Sequence, residues 1–447
     1  MASSTSTAQR EPPAEALEVG GETAAADSPA LQPNLTRLAS DLQRLAEIGA
    51  EGNDGVTRPP FTPEERRAHQ LMGRWMEAAG LQVHVDPFGN TIGVRAGRQP
   101  DLPAIGLGSH LDSVYHGGRF DGTVGSVSAL EAVRMLNEAG VITERPLWVV
   151  CFAAEEGARF GEACLGSKAV SGGLEPRDLE RLRDASGVTL SEAMRQLGID
   201  PAGLVAARWG RGQLAAFLEL HIEQARVLEL EQKKIGLVDA VAGNTRVRLE
   251  FHGRADHSGG TPMHYRKDAL AAAAEVVMAA EAIANEPRRR ATVATVGRLD
   301  VYPNSITTVP GSVVAYLDVR DVDSDRQRAT AQDILSTAQQ VAARRGVELV
   351  YDVLSDTSPA VMPVWLRELT TEVARRLGLA HRVISSGAGH DSAILSRVIP
   401  AALIFVPSHD GASHCPEEWT SVDDIADGVR VLANSVLSVD RMEAGQR

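Results

Sequence analysis

The stretch that decides the fold runs Leu147-Trp148-Val149-Val150-Cys151-Phe152-Ala153-Ala154-Glu155-Glu156-Gly157. A short unbroken apolar run bounded by polar residues reads as a strand covered on both faces. Two carboxylates follow it directly, and adjacent carboxylates repel unless something cationic sits beside them. Working outward, the pattern returns. Residues 103–108 are apolar and end in Ser109-His110, residues 214–220 end in His221, and residues 401–406 lead into a loop that holds His414. Between the first two, Val127, Leu130, Val133 and Leu136 form a helical stripe over residues 126–139, which Gly140 stops. Strands over 81–86 and 91–96 enclose a Gly89-Asn90 turn. Leu35, Leu38, Leu42 and Leu45 recur at helical spacing after Asn34. Apolar strands separated by helices predict an α/β fold, a catalytic sheet with helices on both faces. Such sheets bind ligands beyond the carboxyl ends of their strands, so residues far apart in sequence are expected at one edge.

Residues 241–351 read differently. Strand 247–253, helix 267–285, strands 292–299 and 312–319, helix 324–345 and strand 347–353 give the βαββαβ order of a ferredoxin-like unit. The expected organisation is an extension over 1–32, a catalytic domain in two parts over 33–240 and 353–447, and the inserted unit over 241–352. A chain of 447 residues is too long for one ordinary core, which agrees with two domains. The net charge of -14 excludes the basic footprint of a nucleic-acid binder, and Arg288-Arg289-Arg290 reads as a solvated loop. Cys151, Cys164 and Cys415 are too few and odd in number for a disulfide framework, so a reducing cytoplasmic setting is expected. No apolar run approaches the ~18 residues that span a bilayer. The first thirty residues hold one Arg and five acidic residues, which suits neither a secretory signal nor a transit peptide and reads as a disordered extension.

Five motifs carry candidate chemistry. The first two are Gly108-Ser109-His110-Leu111-Asp112 and Gly117-Gly118-Arg119-Phe120-Asp121-Gly122, the latter just before a helix. Alone, they equally describe a core histidine and a helix-capping aspartate. The third is Glu155-Glu156, which alone is also an acidic turn. In the fourth, Glu219-Leu220-His221-Ile222-Glu223-Gln224, strand alternation puts His221 and Glu223 on one face. The fifth is Ser413-His414-Cys415-Pro416-Glu417-Glu418. Together, three histidines and three carboxylates fall at expected strand ends, and imidazole with carboxylate suits zinc, manganese, cobalt or nickel. Cys415 lacks a CxxC partner and reads as structural.

On these residues the chain resembles the M20 metallopeptidase family. Within it the chain is most similar to the amidase (hydantoinase/carbamoylase) branch of N-carbamoyl-L-amino-acid hydrolases, β-ureidopropionases and allantoate amidohydrolases. The matching stretches include GSHLDSVYHGGRFDGTVGS, AAEEGARFGEACLGS, ELHIEQARVLE, GRADHSGGTPMHYRKDAL, GAGHDS and FVPSHDGASHCPEEWT. The resemblance implies two divalent metal ions per subunit, held by His110, Asp121, Glu156, His221 and His414, with Asp121 as the bridge. It implies that Glu155 is the general base and that Asp112 orients the His110 imidazole. His257 resembles a lid histidine that enters the partner subunit's site in a homodimer built through the inserted unit. Gln224, Asn304, Arg320 and His390 resemble substrate-binding residues, although Arg320 can also pair with Asp318 or Asp321. The implied activity is cleavage of the ureido C–N bond of an N-carbamoyl-L-amino acid or N-carbamoyl-β-alanine. Allantoate is the alternative substrate, and an aminoacylase or dipeptidase of the same family comes third. A binding protein that kept the fold without catalysis would have lost one of His110, Asp121, Glu155 or His414, and all four are present.

Overall fold

The computed structural model describes residues 31–52 and 54–442, so the extension expected over 1–32 lies outside the described residues except for its last two. In chain order the strands are β1 (Gln82–Val85), β2 (Thr91–Arg95), β3 (Ala104–His110), β4 (Leu147–Phe152), β5 (Leu214–Ile222), β6 (Ile235–Val241), β7 (Gly243–His252) and β8 (Asp256–His257). They continue with β9 (Val293–Tyr302), β10 (Thr308–Val309), β11 (Ser312–Asp321), β12 (Glu348–Thr357), β13 (Ala360–Val361), β14 (His381–Ser386) and β15 (Ala401–Val406).

The larger sheet has the order β1-β2-β4-β3-β5-β15-β6-β13, with β14 also on β6. Its middle, β4-β3-β5-β15, is parallel. The β1-β2-β4 side and the β15-β6-β13 side are antiparallel. Period-2 alternation along the apolar runs sends side chains to both faces. Val149 and Cys151 of β4, with Ile404 and Val406 of β15, enter one core. Val150, Phe152, Leu403 and Phe405 enter the core on the opposite face. Each such side chain contributes roughly 1.5–3 kcal/mol by leaving water. The helices Leu35–Ala46, Thr123–Glu138 and Val422–Asp440 bring Leu42, Leu130 and Leu432 to the first core. Their starts follow local chemistry: Asn34 Oδ1 accepts the Arg37 N–H at 3.0 Å, and Ser421 Oγ accepts the Asp424 N–H at 3.0 Å.

The segment β7 to β12 builds a separate antiparallel sheet, ordered β12-β7-β11-β9. Helices Ala269–Ala284 and Ser324–Arg345 cover one face, where Val247, Leu249, Phe251, Val276, Leu317 and Ile334 pack together. The last strand, expected over 347–353, continues to Thr357. A bulge between Val353 and Ser355 lets it resume pairing with β7 down to Asn244, so the boundary expected at residue 352 falls inside the strand. Among the described residues no helix is long and apolar enough to cross a membrane.

Candidate metal centre

The parallel strands deliver their last residues to one edge. β3 ends on His110, and the register sets His110 opposite Phe152, the last residue of β4. Two consecutive residues of an extended strand point to opposite faces. Here Ala154 takes a left-handed φ of 58°, which breaks the extension, and both Glu155 and Glu156 line one cleft. β5 ends one residue past His221, and Gln224 turns the chain with φ 57°. The alternation expected of Glu223 stops at the strand end: its carboxylate instead accepts the N–H groups of Val227 and Leu228, both at 2.9 Å.

These residues meet around Asp121. Its Oδ1 lies 3.3 Å from His110 Nε2 and 3.2 Å from His221 Nε2. Its Oδ2 lies 3.4 Å from His414 Nε2, which is itself 3.4 Å from Glu156 Oε1. His110, Asp121 and His221 form one group of converging donor atoms, and Asp121, Glu156 and His414 form another. One aspartate is thus common to two triads. Cys415 is in neither.

The donors fit divalent cations. His110 Nδ1 faces the Asp112 carbonyl oxygen at 3.1 Å and His221 Nδ1 faces the Ile222 carbonyl oxygen at 2.9 Å. A carbonyl can only accept, so Nδ1 of each ring carries a proton and Nε2 is the atom turned to the carboxylate, where a divalent cation would take the place of a second proton. Charge tells the same story. Burial pushes Glu155 up to about 8 against the pull of His110. Burial, with Asp121 next, does the same to Glu156. Burial works against the charged form of Asp121, yet His221, His110 and His414 outweigh it and hold the carboxyl well below its usual range. His414, half exposed, is raised to about 9 chiefly by its contact with Asp121. Glu155 Oε2 stands 3.9 Å from His110 Nε2, beside the cluster.

Glu418, Ser413 and Glu219, to which sequence reading gave no role, brace the site. Glu418, buried, accepts the N–H groups of Phe120 at 2.8 Å and Asp121 at 3.0 Å, and the Ser413 hydroxyl at 3.1 Å. Ser413 Oγ and Gln224 Nε2 also reach Asp121 Oδ2, at 3.1 and 2.6 Å. Glu219 lies behind His221 and takes the Ser109 hydroxyl at 2.7 Å and the Ser392 N–H at 2.9 Å. Their spacing along the chain gives no hint of these contacts. Gly122 is required: at φ 64° a Cβ there would stand 2.4 Å from the His110 ring.

The expected substrate residues divide. Gln224 and Arg320 line the cleft of about 920 Å³ that also holds His110, Asp121 and Glu155, with Asn244 and Arg246 of the inserted sheet on its far wall. Arg320 pairs with Asp318 through Nε and Nη2, at 3.0 and 2.9 Å, and its Nη1 donates to the Gly387 carbonyl at 2.7 Å. His390 is buried behind His221, ring centroids 4.6 Å apart, with Nε2 3.0 Å from Ser386 Oγ; burial keeps it neutral, well below its usual range. His257 and Asn304 are exposed on the inserted unit, outside the cleft of their own chain. His257 Nδ1 accepts the N–H groups of Gly259 and Gly260 at 3.1 and 3.0 Å, which leaves the ring proton on Nε2 as a donor.

A cleft of this kind, walled by carboxylates and inward-facing imidazole Nε2 atoms, defines a hydrolase that works through bound divalent cations. The profile of peptidase family M20/M25/M40 matches residues 106–438, and the chain belongs to that family. It is 42% identical to N-carbamoyl-L-amino acid amidohydrolase of Geobacillus stearothermophilus, over 90% of this chain and 97% of that one. It is 33% identical to allantoate amidohydrolase of Bacillus subtilis, over 88% and 95%. The structure of an amidase of the hydantoinase/carbamoylase family from Burkholderia multivorans superposes with a TM-score of 0.86 at 35% identity, covering 93% of this chain and all of that one. The chain stands on the amidase branch of the family, a hydrolase of non-peptide carbon–nitrogen bonds.

Proposed function

We propose that this enzyme cleaves the ureido C–N bond of N-carbamoyl-L-amino acids, with N-carbamoyl-β-alanine in the same chemical class, to release the amino acid, ammonia and carbon dioxide. The observation that carries the reading is the sharing of Asp121 between two donor triads with Glu155 beside them. Relatives 42% identical that bear this activity in their names support the substrate class. His110 and His221 would hold one ion, Glu156 and His414 the other, and Asp121 both; zinc, manganese, cobalt and nickel all suit the donors. When bound, such a pair polarises a carbonyl and acidifies water toward neutral pH.

The chain's own residues do the rest. Glu155 takes a proton from the attacking water and returns it to the leaving nitrogen. Asp112 keeps the His110 ring oriented. Arg320, whose Nε and Nη2 are held by Asp318, offers its remaining Nη1 and Nη2 protons to the substrate carboxylate, with Gln224 and the Asn304 of a second copy as further polar contacts and His390 backing His221. His257 donates from Nε2 to the substrate carbonyl of a second copy. The inserted unit, 241–352 with the rest of β12, serves as lid and dimer contact, and 33–240 with 353–447 as the catalytic part. Two observations favour a homodimer. His257 lies outside the cleft of its own chain. β9 is the edge of its sheet and exposes Val293, Leu299 and Tyr302, beside exposed Met278 of the helix Ala269–Ala284. The free cysteines fit a reducing cytoplasm.

The test is ammonia release by metal-reconstituted enzyme from N-carbamoyl-L- and D-amino acids, N-carbamoyl-β-alanine, allantoate and a dipeptide. The carbamoyl-L-amino acids are expected to be turned over fastest. Preference for allantoate would move the chain to the alternative substrate, and cleavage of the dipeptide alone would overturn the ureido reading. Glu155→Gln is expected to keep its metal and lose turnover by ~100-fold or more.

A further inference from the structure

Cys164 stands outside both triads yet touches the residue beside them. Its thiol donates to Glu155 Oε1 at 3.1 Å. The backbone is arranged to hold that contact. The Cys164 N–H donates to the Glu155 carbonyl at 2.6 Å, and the Leu165 N–H donates to the Ala154 carbonyl at 2.9 Å. Cys164 itself sits at φ 59°, a left-handed conformation that few residues with a Cβ adopt. The side chain is buried, and burial with the Glu155 and Asp391 carboxylates keeps the thiol well above its usual range, so it carries its proton and can donate. The other oxygen, Oε2, faces His110 Nε2 at 3.9 Å.

We propose that Cys164 is a positioning residue for Glu155: by donating to Oε1 it fixes the rotation of the carboxylate and leaves Oε2 as the oxygen that handles the proton. The terminal torsion of a glutamate is broad and two-fold, so an unpartnered carboxylate would sample orientations that turn neither oxygen toward the reacting water. A thiol is a weak donor and sets the angle without drawing much basicity from the carboxylate. The inference rests on Glu155 acting as the base.

The test compares the metal-loaded native enzyme with Cys164→Gly, Cys164→Ala, Cys164→Ser and Glu155→Gln on an N-carbamoyl-L-amino acid, with metal content and melting temperature measured alongside. Glycine relieves the left-handed strain while removing the thiol, so it separates loss of the donor from loss of the fold. Glycine and alanine are expected to lower kcat roughly tenfold with KM within about twofold and metal content unchanged. Serine, which restores a donor, is expected to recover most of that loss. Native kcat in the glycine variant, or an equal loss in the serine variant, overturns the proposal. An inert Glu155→Gln beside a native Cys164→Gly overturns this inference alone, whereas an active Glu155→Gln removes the base and its positioning together.

Discussion

Asp112 is the residue on which two halves of the centre depend. Its Oδ1 accepts the Glu155 N–H at 3.0 Å and its Oδ2 accepts the Glu156 N–H at 2.8 Å, while its backbone carbonyl faces His110 Nδ1. One side chain therefore sets the backbone of both carboxylates, and its main chain keeps a proton on His110 Nδ1. Asp112→Asn places an amide NH₂ against one of two backbone donors and strands that N–H. It is expected to lower kcat by ~10–100-fold with a matching loss of metal affinity, read by steady-state kinetics and metal titration. Native metal affinity and turnover in this variant would show that the contact is incidental. The family resemblance implied that Asp112 orients the His110 ring, and the residue does stand beside it, through its main-chain oxygen. The grip on Glu155 and Glu156 was not legible in the sequence, because it arises from the register of β3 against β4, with Ser109 opposite Cys151, and register is a property of the folded pair.

At the scale of elements, the apolar runs were read well because strands buried on both faces leave continuous hydrophobic sequence; β15 matches its expected span of 401–406 residue for residue. β6 and β14 were passed over. Gly236 and Asp239 interrupt the first, and the second is partly exposed, so neither leaves an unbroken apolar run. The helix expected from Ser126 begins at Thr123, since Gly122 at φ 64° supplies the turn into it. Gly122→Ala is expected to abolish metal uptake at the His110 triad, checked by metal analysis of the purified variant, because the added methyl meets the imidazole. The helix Pro63–Ala78 carries a different consequence. His69 on it is buried, with Nδ1 2.9 Å from Thr91 Oγ1, and burial with Arg66 and Arg58 lowers it to about 3. The unfolded chain takes up a proton near pH 6.5 that the folded helix refuses, so stability is lost as pH falls from about 6.5 toward 3. Between pH 7 and 5, chelator-treated native protein is expected to lose ~2 kcal/mol more than His69→Leu, measured by urea unfolding. Equal losses would refute this assignment.

At the scale of the molecule, the two sheets face one cleft and the residues expected to contact substrate are split between them, with His257 and Asn304 beyond reach of their own chain's cluster. Mixed His257→Ala and Glu155→Gln subunits are therefore expected to regain up to about a quarter to a half of native activity in heterodimers, because one of the two sites is whole. No recovery would mean that each copy is self-sufficient. The ordering of the strands has a further meaning for how the protein comes into being. β15, the last strand made among the described residues, lies between β5 and β6 in the middle of the sheet, and the loop beyond it brings His414 and Glu418, the latter clasping the amides of Phe120 and Asp121 some three hundred positions upstream. A ribosome that has released only the first four hundred residues has produced most of the framework and every residue of the two triads except His414, yet no finished pocket. Completion of the second triad is thus left to the last part of synthesis, and a polypeptide truncated before Ser413 is expected to take up less metal than the full chain however much ion surrounds it.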